Sequence, residues 1–348
     1  MNTQAIPASL ALMKEVLGRV ATGATMSEIQ AEEVFEVIMS GDATPAQIGG
    51  LLMALRVRGE TVDEITGAAR IMRAKALGME APAGAIDTCG TGGDGSGTYN
   101  ISTAAAFVVA GAGVPVAKHG NRALSSKSGS ADVLAALGIK VDADMALVRE
   151  SLFTNNIGFL MAPRHHNAMR HVGGPRVELG TRTIFNLLGP LSNPAGTTRQ
   201  VVGVFADQWV EPVATVLGRL GAEHAWAVHG SDGLDELTTT GPSKVAEFKG
   251  GEVRIFTVTP EEAGLARARP EQLKGGDAAT NAAALKDLLG GKKGAYRDIV
   301  VLNAAAALIV AGKSISLAEA ARLAENVIDS GEAGRVLERM ITITNRNA

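Results

Sequence analysis

The stretch Asp87–Asp132 contains the residue types and spacing that bind a polyanion. It reads DTCGTGGDGSGTYNIST, then an Ala/Val run, then VPVAKHGNRALSSKSGSAD, and no acidic residue lies between Asp94 and Asp132. The basic residues in this interval are Lys118, His119, Arg122 and Lys127. Glycines let the backbone approach a ligand closely, and backbone N–H and hydroxyl groups donate to its oxygens. The stretch therefore predicts a phosphate or pyrophosphate site.

Three glycines in this stretch also fit the GxGxxG pattern of dinucleotide-binding folds. They are Gly90, Gly92 and Gly95. That fold requires an Asp or Glu about 20 residues further on to hold the ribose hydroxyls, and the sequence has none there. A Walker loop is excluded because no GK[ST] follows the glycines. A glycine-rich turn without a ligand is a further alternative. It is disfavoured because two such loops occur in tandem, each opening a helix.

A second polar loop, HGSDGLDELTTTGP, contains Asp232, Asp235 and Glu236. Adjacent carboxylates in a loop are often solvated turn residues. A polyphosphate ligand, however, requires magnesium, which prefers hard oxygen ligands and keeps waters and substrate phosphates in its shell. The adjacent pair Asp235 and Glu236 therefore predicts magnesium binding.

The segment RHHNAMRHVGGPRVELGTR is rich in arginine and histidine. Its arginines are Arg164, Arg170, Arg176 and Arg182, against the single acid Glu178. For any one of them a solvated helix surface is the ordinary interpretation, although the planar guanidinium binds a carboxylate in bidentate fashion. The histidines His165, His166 and His171 lack the carboxylate or cysteine spacing of a zinc site, so zinc is not predicted.

Several of these motifs together resemble the anthranilate phosphoribosyltransferase family of the tryptophan pathway. The resemblance rests on GTGGDGSGTYNIST and KHGNRALSSKSGSADVLAALG, and on motifs at Ala162–Arg170, Glu178–Asn193 and Asp235–Thr239. They span most of the chain in the family's order. One departure occurs: where the family reads H-V-G-P-x-R, this chain reads HVGGPR. Pro175 is thus displaced by one residue, while Arg176 keeps its place.

The resemblance implies sites for phosphoribosyl pyrophosphate, anthranilate and Mg²⁺. For phosphoribosyl pyrophosphate it implies Gly90, Gly93, Asp94, Thr98, Asn100, Ile101, Ser102, Thr103, Lys118, His119, Gly120, Asn121, Arg122, Ala123, Leu124, Ser125, Ser126 and Ser130. For anthranilate it implies Gly90, Asn121 and Arg176, with Arg176 holding the carboxylate. For Mg²⁺, expected as two ions, it implies Ser102, Asp235 and Glu236. The expected catalytic residues are His119, Arg176 and Asn121, with His119 acting as a general base or positioning a substrate.

The reaction implied by the resemblance displaces pyrophosphate from the anomeric carbon of the ribose. The aromatic amine of anthranilate is the nucleophile, and the product is N-(5-phosphoribosyl)anthranilate, in the second step of tryptophan synthesis from chorismate. Departure of the leaving group builds an oxocarbenium-like centre, so catalysis depends on stabilising that group and on positioning both substrates.

Two other functions are alternatives to this transfer reaction. A pyrimidine nucleoside phosphorylase-like enzyme shares the architecture and uses phosphate as nucleophile, but the KHGNRALSS loop and the Arg176 region favour the transferase. A non-catalytic paralogue could keep the fold to bind nucleic acid, but the charge balance and the intact pair Asp235 and Glu236 disfavour it.

The elements that must position these residues begin with a helical part. Up to about residue 78 the apolar residues repeat at helical spacing. Ser27, Thr44 and Thr61 each begin a helix, with capping partners three residues later. We therefore predict a small all-α unit of four amphipathic helices.

From about Ala85 the pattern changes to continuous apolar runs separated by helical stretches, which predicts an α/β fold with a mostly parallel sheet. The strand-like runs are Val114–Ala117, Ile157–Met161, Val201–Phe205 and Ala225–Val228. A late hairpin is predicted from Val245–Lys249 and Glu252–Val258. Helices follow near Ala278–Leu289, Asp298–Val310 and Ser316–Asp329.

We therefore predict two domains, a small helical domain over 1–78 and an α/β domain binding phosphoribosyl pyrophosphate over 79–348. The resemblance implies a nucleoside phosphorylase/phosphoribosyltransferase-like fold, in which an insertion at about 164–190 returns to the helical domain. It also implies an active site in the cleft between the domains, near the carboxyl ends of the strands. Apolar surface on the helical domain either packs within the chain or is shared with a second subunit, and we expect a homodimer through this domain.

The composition is that of a globular protein, with 46% hydrophobic and 20% charged residues. The net charge of -3 argues against nucleic acid or an anionic membrane as a partner held by bulk charge. Cys89 is the only cysteine, so no intramolecular disulfide is expected, and we interpret it as a packed small residue. The chain lacks a signal-peptide pattern and any apolar run long enough to cross a membrane, so a cytoplasmic protein is expected.

Overall fold

The computed structural model describes residues 8–123 and 128–346. This part of the chain divides into two compact units. The first contains the described residues as far as Leu77, together with Pro163–Ser192. The second contains Gly78–Ala162 and the described residues from Asn193 onwards. The segment rich in arginine and histidine therefore belongs to the first unit, and both polar loops belong to the second.

The helices lie in both units. In chain order they are α1 (Ala8–Val20), α2 (Glu28–Ser40), α3 (Pro45–Arg58), α4 (Val62–Ala74), α5 (Ile101–Gly111), α6 (Ser130–Ala136), α7 (Met145–Asn155), α8 (Ala162–His165), α9 (Arg170–Leu179), α10 (Phe185–Leu188), α11 (Val210–Arg219), α12 (Ala278–Leu289), α13 (Ala295–Val310), α14 (Leu317–Asp329) and α15 (Glu332–Thr344). Short 3₁₀ helices occur at Asn167–Met169, Asp207–Trp209, Pro260–Ala263 and Pro270–Leu273.

The strands all belong to the second unit. They are β1 (Ile86–Gly90), β2 (Val116–Gly120), β3 (Ile157–Met161), β4 (Arg199–Gly203), β5 (His224–Gly230), β6 (Ser243–Lys249) and β7 (Glu252–Val258). In the part of the chain that the structure describes, they form one seven-stranded sheet in the order β3-β2-β1-β4-β5-β6-β7. The first five strands pair in parallel, and β6 is antiparallel to both β5 and β7.

Local sequence signals account for the helices of the first unit. Ser27, Thr44 and Thr61 are the N-caps of α2, α3 and α4, and each belongs to a complete capping box. Each box satisfies two backbone N–H groups that the first turn leaves without an intrahelical partner. The buried face of α2 includes Phe35, whose ring centroid lies 5.8 Å from that of Phe185 in α10. The predicted helices of this unit are confirmed.

The strands of the sheet match the predicted apolar runs, with small shifts in where they begin and end. β3 has the predicted bounds, whereas β2 begins only at Val116 because Pro115 has no N–H to donate to a neighbouring strand. The predicted hairpin is confirmed, with φ of 61° at Gly250 and 90° at Gly251, as a tight two-residue turn requires. The predicted class, α/β with a mostly parallel sheet, is therefore confirmed.

The order of the strands creates the place where a ligand would bind. β2 and β3 lie on one side of β1, whereas β4 and β5 lie on the other. At such a reversal the connections after neighbouring strands leave in opposite directions, which opens a crevice outside the carboxyl ends of the strands. The carboxyl ends of β1 and β4 therefore mark the expected ligand site of this unit.

The helices α5 and α13 pack against each other beside the sheet. Both are buried along nearly their whole length, which confirms the buried helix predicted over Asp298–Val310. The sequence prediction omitted α15, although Val336, Leu337 and Met340 repeat at helical spacing and are buried. No helix of the described residues is both long and apolar enough to span a membrane.

Candidate active site

The loop Thr91–Asn100 joins β1 to α5 at the carboxyl end of the sheet. Its glycines at 92, 93, 95 and 97 have φ between 64° and 74°, a region that residues with side chains rarely adopt. The N–H of Thr91 donates to the carbonyl of Gly203 at 2.9 Å, which fixes the loop to the end of β4. Since α5 begins at Ile101, its first turn follows directly on this glycine loop, an arrangement that favours phosphate binding.

Lys118 brings a buried positive charge to the same place. Its side chain lies on β2 and is 3% exposed. Nζ donates to the carbonyl of Thr88 at 2.5 Å and to Oγ of Ser102 at 3.5 Å. An ammonium group has three donor protons, so these contacts leave one for a phosphate oxygen. The structure therefore brings together two of the residues assigned to the phosphate site from the sequence.

The carboxylates of Asp235 and Glu236 also reach the glycine loop and the start of α5. Oδ2 of Asp235 accepts the N–H of Gly92 at 2.7 Å, and Oε1 of Glu236 accepts the N–H of Ser102 at 3.1 Å. Both residues are half-buried. Loss of hydration raises the pKa of Asp235 well above its usual range, and the charges of Asp94 and Glu236 raise it further.

The pKa of Glu236 is raised for the same reason as that of Asp235. Loss of hydration raises its pKa to about 7, although the ammonium of Lys118 acts in the opposite direction. Ionising both carboxyls is thus unfavourable in the protein alone, and a cation would favour the ionised forms. Among the described residues, no group of three or more His, Cys, Asp or Glu side chains is arranged to enclose a metal ion. The carboxylates supply part of a coordination shell, which fits Mg²⁺ because this ion keeps waters and substrate oxygens.

Two glycines allow Asp235 to sit on the ends of the strands. A Cβ on Gly203 would lie 1.5 Å from the main-chain oxygen of Asp235. A Cβ on Gly90 would lie 2.3 Å from its Oδ2. Gly90 was among the residues predicted from the sequence, whereas Gly203 was not, and its only signal was a glycine in the middle of the apolar run Val201–Phe205. Asp232, by contrast, accepts the hydroxyls of Thr238 and Thr240, each at 2.6 Å, and so closes its own loop.

The second loop, which follows β2, is built around Asp132. Its Oδ2 accepts the N–H groups of Ala123 and Gly129, at 2.9 and 3.0 Å. Arg122 forms an ion pair with the same carboxylate at 3.2 Å, so its charge is partly neutralised within the loop. Leu124, Ser125 and Ser126, also expected in the phosphate site, lie outside the described residues, as does Lys127.

Asn100 connects the two loops. Its Nδ2 donates to the carbonyl of Ser128 at 3.3 Å, and its Oδ1 accepts from Asn281 at 2.9 Å. On the second loop, the Oγ of Ser130 donates to the carbonyl of Asn121 at 3.2 Å. A Cβ on Gly120 would lie 2.3 Å from that Oγ, so the loop passes close to the end of β2.

The remaining residues of the expected phosphate site follow the course of the first loop. Gly93 and Asp94 lie in the glycine turn, where Asp94 accepts the N–H and Oγ–H of Ser96 at 3.1 and 2.7 Å. Thr98 forms an isolated antiparallel bridge with Lys274. Thr103 lies buried in the first turn of α5. These contacts fix the loop against the segment before α12.

His119 is not brought together with the ammonium of Lys118. Successive side chains of a strand point to opposite faces of the sheet, so the ring leaves β2 on the other face. The side chain of His119 is 6% exposed, and the backbone N–H of this residue donates to Oδ1 of Asp87 at 3.2 Å. Asp87 also accepts the amide of Asn193 at 2.7 Å, and burial raises its pKa. The backbone N–H of His119 therefore belongs to a buried polar network around Asp87.

Arg176 belongs to the first unit, on α9. The helix continues through Gly173 and Gly174 with Pro175 inside it, so the displaced proline does not end the helix. The guanidinium carbon of Arg176 lies 5.4 Å from the ring centroid of Phe185. Burial lowers its pKa, which remains far above neutrality for a guanidinium. The side chain is therefore a half-buried, permanently charged group.

The histidines of this segment are buried for the most part. Nδ1 of His165 lies 2.6 Å from the carbonyl of Leu77. Burial lowers the pKa of His165, and burial together with the neighbouring ring lowers that of His166 to about 4. Both rings are therefore neutral near pH 7 and are packed inside the first unit.

Comparison with known protein families accounts for both units. Residues 83–334 match the family described as glycosyl transferase family, a/b domain, and residues 14–76 match the glycosyl transferase family, helical bundle domain. The chain is 77% identical over 342 residues to an anthranilate phosphoribosyltransferase of Paramagnetospirillum magneticum, covering 98% of this chain and 99% of the relative. It is 66% identical to one of Azospirillum brasilense, covering 99% and 97%.

Solved structures give the same result. The anthranilate phosphoribosyltransferase from Thermus thermophilus superposes with a TM-score of 0.90 at 46% identity, over 95% of this chain and 99% of the other. The enzyme from Saccharomyces cerevisiae in complex with PRPP and Mg superposes with a TM-score of 0.86 at 27% identity, over 96% and 98%.

The fold and these matches define a glycosyl transferase with a helical-bundle domain and an α/β domain. Within that class, the identity over nearly the whole length means that the chain belongs to the anthranilate phosphoribosyltransferase family. The family resemblance stated from the sequence is thereby confirmed, as is the expectation of an enzyme of the glycosyltransferase class.

Proposed function

We propose that this chain transfers the 5-phosphoribosyl group from phosphoribosyl pyrophosphate to the amine of anthranilate, giving N-(5-phosphoribosyl)anthranilate and pyrophosphate. One observation carries the proposal. The ammonium of Lys118, the first turn of α5 and the carboxylate of Glu236 meet around Ser102, and the carboxylate of Asp235 binds the adjoining glycine loop at Gly92. A site of this composition suits a substrate that carries a diphosphate and a divalent cation.

Asp235 and Glu236, with the hydroxyl of Ser102, would hold the Mg²⁺. Their fit rests on the hard oxygen donors and on the raised pKa values of both carboxyls, since a cation would favour the ionised forms. The solved yeast relative is described in complex with PRPP and Mg. Bound Mg²⁺ supplies charge neutralisation for the departing diphosphate. We include two ions in the proposal, because the diphosphate and the carboxylate pair each offer oxygen ligands.

The chain's own groups would bind and orient the phosphates. The glycine loop with Gly93 and Asn100, and the first turn of α5, offer backbone N–H groups, and Lys118 adds a charge that does not depend on the metal. Charge-assisted hydrogen bonds of this kind are shorter and stronger than neutral ones. The remaining expected contacts come from the second loop, among them Asn121, Arg122 and Ser130.

We assign the acceptor to Arg176, Gly90 and Asn121, as the family resemblance implies. A planar guanidinium matches the two oxygens of a carboxylate, and Arg176 is half-buried, which strengthens such a pair. A solved yeast relative is described in complex with 4-fluoroanthranilate. His119 completes the proposed catalytic set, either accepting a proton from the amine or positioning the acceptor.

We also propose a homodimer formed through the helical unit. Exposed aliphatic side chains on three of its helices support this proposal: Ile29 is 68% exposed, Val57 81% and Val177 82%. Apolar surface of this kind is typical of protein interfaces when it is contiguous. A cytoplasmic location, expected from the sequence, is part of the same proposal.

The test is to mix the protein with Mg²⁺, phosphoribosyl pyrophosphate and anthranilate, and to follow the loss of anthranilate fluorescence. We expect the loss to require all three components and to be abolished in a variant with Asp235→Asn and Glu236→Gln. Replacing the two substrates by inorganic phosphate and a pyrimidine nucleoside tests the phosphorylase alternative. Release of the free base in that mixture, with no loss of anthranilate in the first, would refute the proposal.

A further inference from the structure

The buried helix α13 contains one polar side chain where the sequence is otherwise apolar. Between Ile299 and Val310 every residue is Ile, Val, Leu or Ala except Asn303. The side chain is 3% exposed. Burying an amide costs free energy unless its donors and acceptor are hydrogen-bonded. What Asn303 contacts therefore indicates why an amide stands at this position.

The amide of Asn303 binds both backbone groups of one residue. Its Oδ1 accepts the N–H of Leu237 at 3.0 Å, and its Nδ2 donates to the carbonyl of Leu237 at 2.8 Å. The second proton of Nδ2 goes to the carbonyl of Ile299 at 2.9 Å, one turn earlier in the helix, which fixes the orientation of the amide. Leu237 is fully buried, so no water could replace these bonds at the same place.

We propose that Asn303 is a positioning residue for the carboxylates of Asp235 and Glu236. The inference rests on the proposed function, in which these two carboxylates bind Mg²⁺. Leu237 directly follows Glu236, and Asp235 is held on its other side by the close approach of its main chain to Gly203. The pair thus lies between two fixed points. Without the Asn303 amide, the backbone of Leu237 would lose both of its hydrogen bonds to α13.

The experiment compares Asn303→Ala with a matched control, Asn155→Ala. Asn155 is likewise 3% exposed and donates Nδ2 to a buried backbone carbonyl, that of Val336, at 2.8 Å. It lies on α7 and contacts none of the residues assigned to the metal. Both variants should lower the free energy of unfolding measured in urea, because each leaves a buried backbone group without its partner.

Metal binding separates the two variants. Mn²⁺ binding to the full chain can be measured by the loss of the electron paramagnetic resonance signal of free Mn²⁺. We expect the affinity to be about 10-fold weaker in Asn303→Ala, which is the low end of the range of losses in metal affinity seen when residues that support metal ligands are replaced. It should be unchanged in Asn155→Ala. The Mg²⁺ concentration for half-maximal turnover should rise in parallel, and excess Mg²⁺ should restore part of the rate. If Asn303→Ala does not fold, Asn303→Asp keeps the size and the acceptor but loses the donor to Leu237.

Two outcomes would contradict the inference in different ways. If the parent binds Mn²⁺ through Asp235 and Glu236 and the Asn303 variants bind it equally well, the positioning role is wrong while the proposed function stands. If the variant with Asp235→Asn and Glu236→Gln binds Mn²⁺ like the parent, the metal site of the proposed function is itself wrong, and the inference fails with it.

Discussion

Gly203→Ala tests whether the end of β4 positions the carboxylate pair. The added methyl group would lie 1.5 Å from the main-chain oxygen of Asp235 and 2.3 Å from its main-chain carbon. An ordinary carbon–oxygen contact is about 3.3 Å or longer, so the Asp235 backbone must move by about 2 Å. Neither neighbour is the flexible end of a side chain, because both atoms belong to the backbone. The substitution therefore displaces the loop itself.

The displacement is large compared with what a metal or substrate site tolerates. Such sites require their groups to be held within about 0.5 Å, and a misplacement of about 1 Å can cost about 100-fold in rate. We therefore expect Gly203→Ala to lower turnover about 100-fold or more and to raise the Mg²⁺ requirement. Overpacking should also lower the free energy of unfolding by about 1–3 kcal/mol.

The assays are anthranilate fluorescence at varied Mg²⁺ and urea unfolding of the same samples. The control is Gly334→Ala in α15, where the new Cβ would have its nearest contact at 3.5 Å, with the carbonyl of Leu289. Alanine favours a helix interior over glycine by about 1 kcal/mol, so this variant should be as stable as the parent or more so, with parent-like turnover. A Gly203→Ala enzyme with the parent's turnover and Mg²⁺ requirement would refute the reasoning.

Three further predictions test separate groups of the site. Lys118→Ala should weaken the binding of phosphoribosyl pyrophosphate far more than that of anthranilate, since it removes the charge proposed to bind phosphate oxygens; equal changes in the two Michaelis constants would contradict that placement. Glu236 has a pKa of about 7 in the folded, metal-free protein against 4.5 in the unfolded chain. Its contribution to stability is therefore present below pH 4.5 and lost as the pH rises through about 7. Glu236→Gln should flatten this fall in urea unfolding without metal, and a slope equal to that of the parent would count against it. Arg176→Ala should raise the Michaelis constant for anthranilate about 10- to 150-fold, or about 1.5–3 kcal/mol, with little change for phosphoribosyl pyrophosphate. Arg176→Lys should recover only part of this loss, whereas a large effect of Arg170→Ala with none at Arg176 would mean that a different arginine binds the carboxylate.

The parts of the fold that the sequence predicted well depend on short-range signals. The capping residues Ser27, Thr44 and Thr61 each act on a backbone group three residues away. The turn at Gly250 and Gly251 likewise requires positive φ at two adjacent positions. Signals of this range are complete within a few residues, so they are readable before any tertiary contact is known.

The residues that sequence reasoning missed act across long separations. Asn303 and Leu237 are 66 residues apart, and Gly203 contacts the Asp235 loop only because β1, β4 and β5 are neighbours in the sheet. A glycine within an apolar run, or an asparagine in an apolar helix, is visible in the sequence. What it contacts depends on strand order and helix packing, which no local pattern encodes.

His119 shows that closeness in sequence does not place two side chains on the same face of a strand. It directly follows Lys118, and the motif KHGNR invites a common role for both. In a strand, however, adjacent side chains leave on opposite faces, so the ammonium of Lys118 faces Ser102 while the imidazole of His119 leaves β2 on the other face. If His119 acts on a substrate, its ring must therefore do so from the face of β2 opposite to the ammonium of Lys118.

In the described part of the protein alone, the carboxyl groups of the candidate active site are not balanced by positive charge. Asp94, Asp235 and Glu236 bring three carboxyls close together, and the pKa values of the last two are raised because hydration is lost and like charges adjoin. Among the described residues, the ammonium of Lys118 opposes the charge of Glu236. Keeping such a cluster costs folding free energy, which packed, uncharged contacts must offset. The backbone approach at Gly203 and the amide of Asn303 are contacts of this kind, because they hold the loop without neutralising it. The chain thus holds the carboxyl oxygens in a fixed geometry, and a divalent cation arriving with a diphosphate would favour their ionised forms.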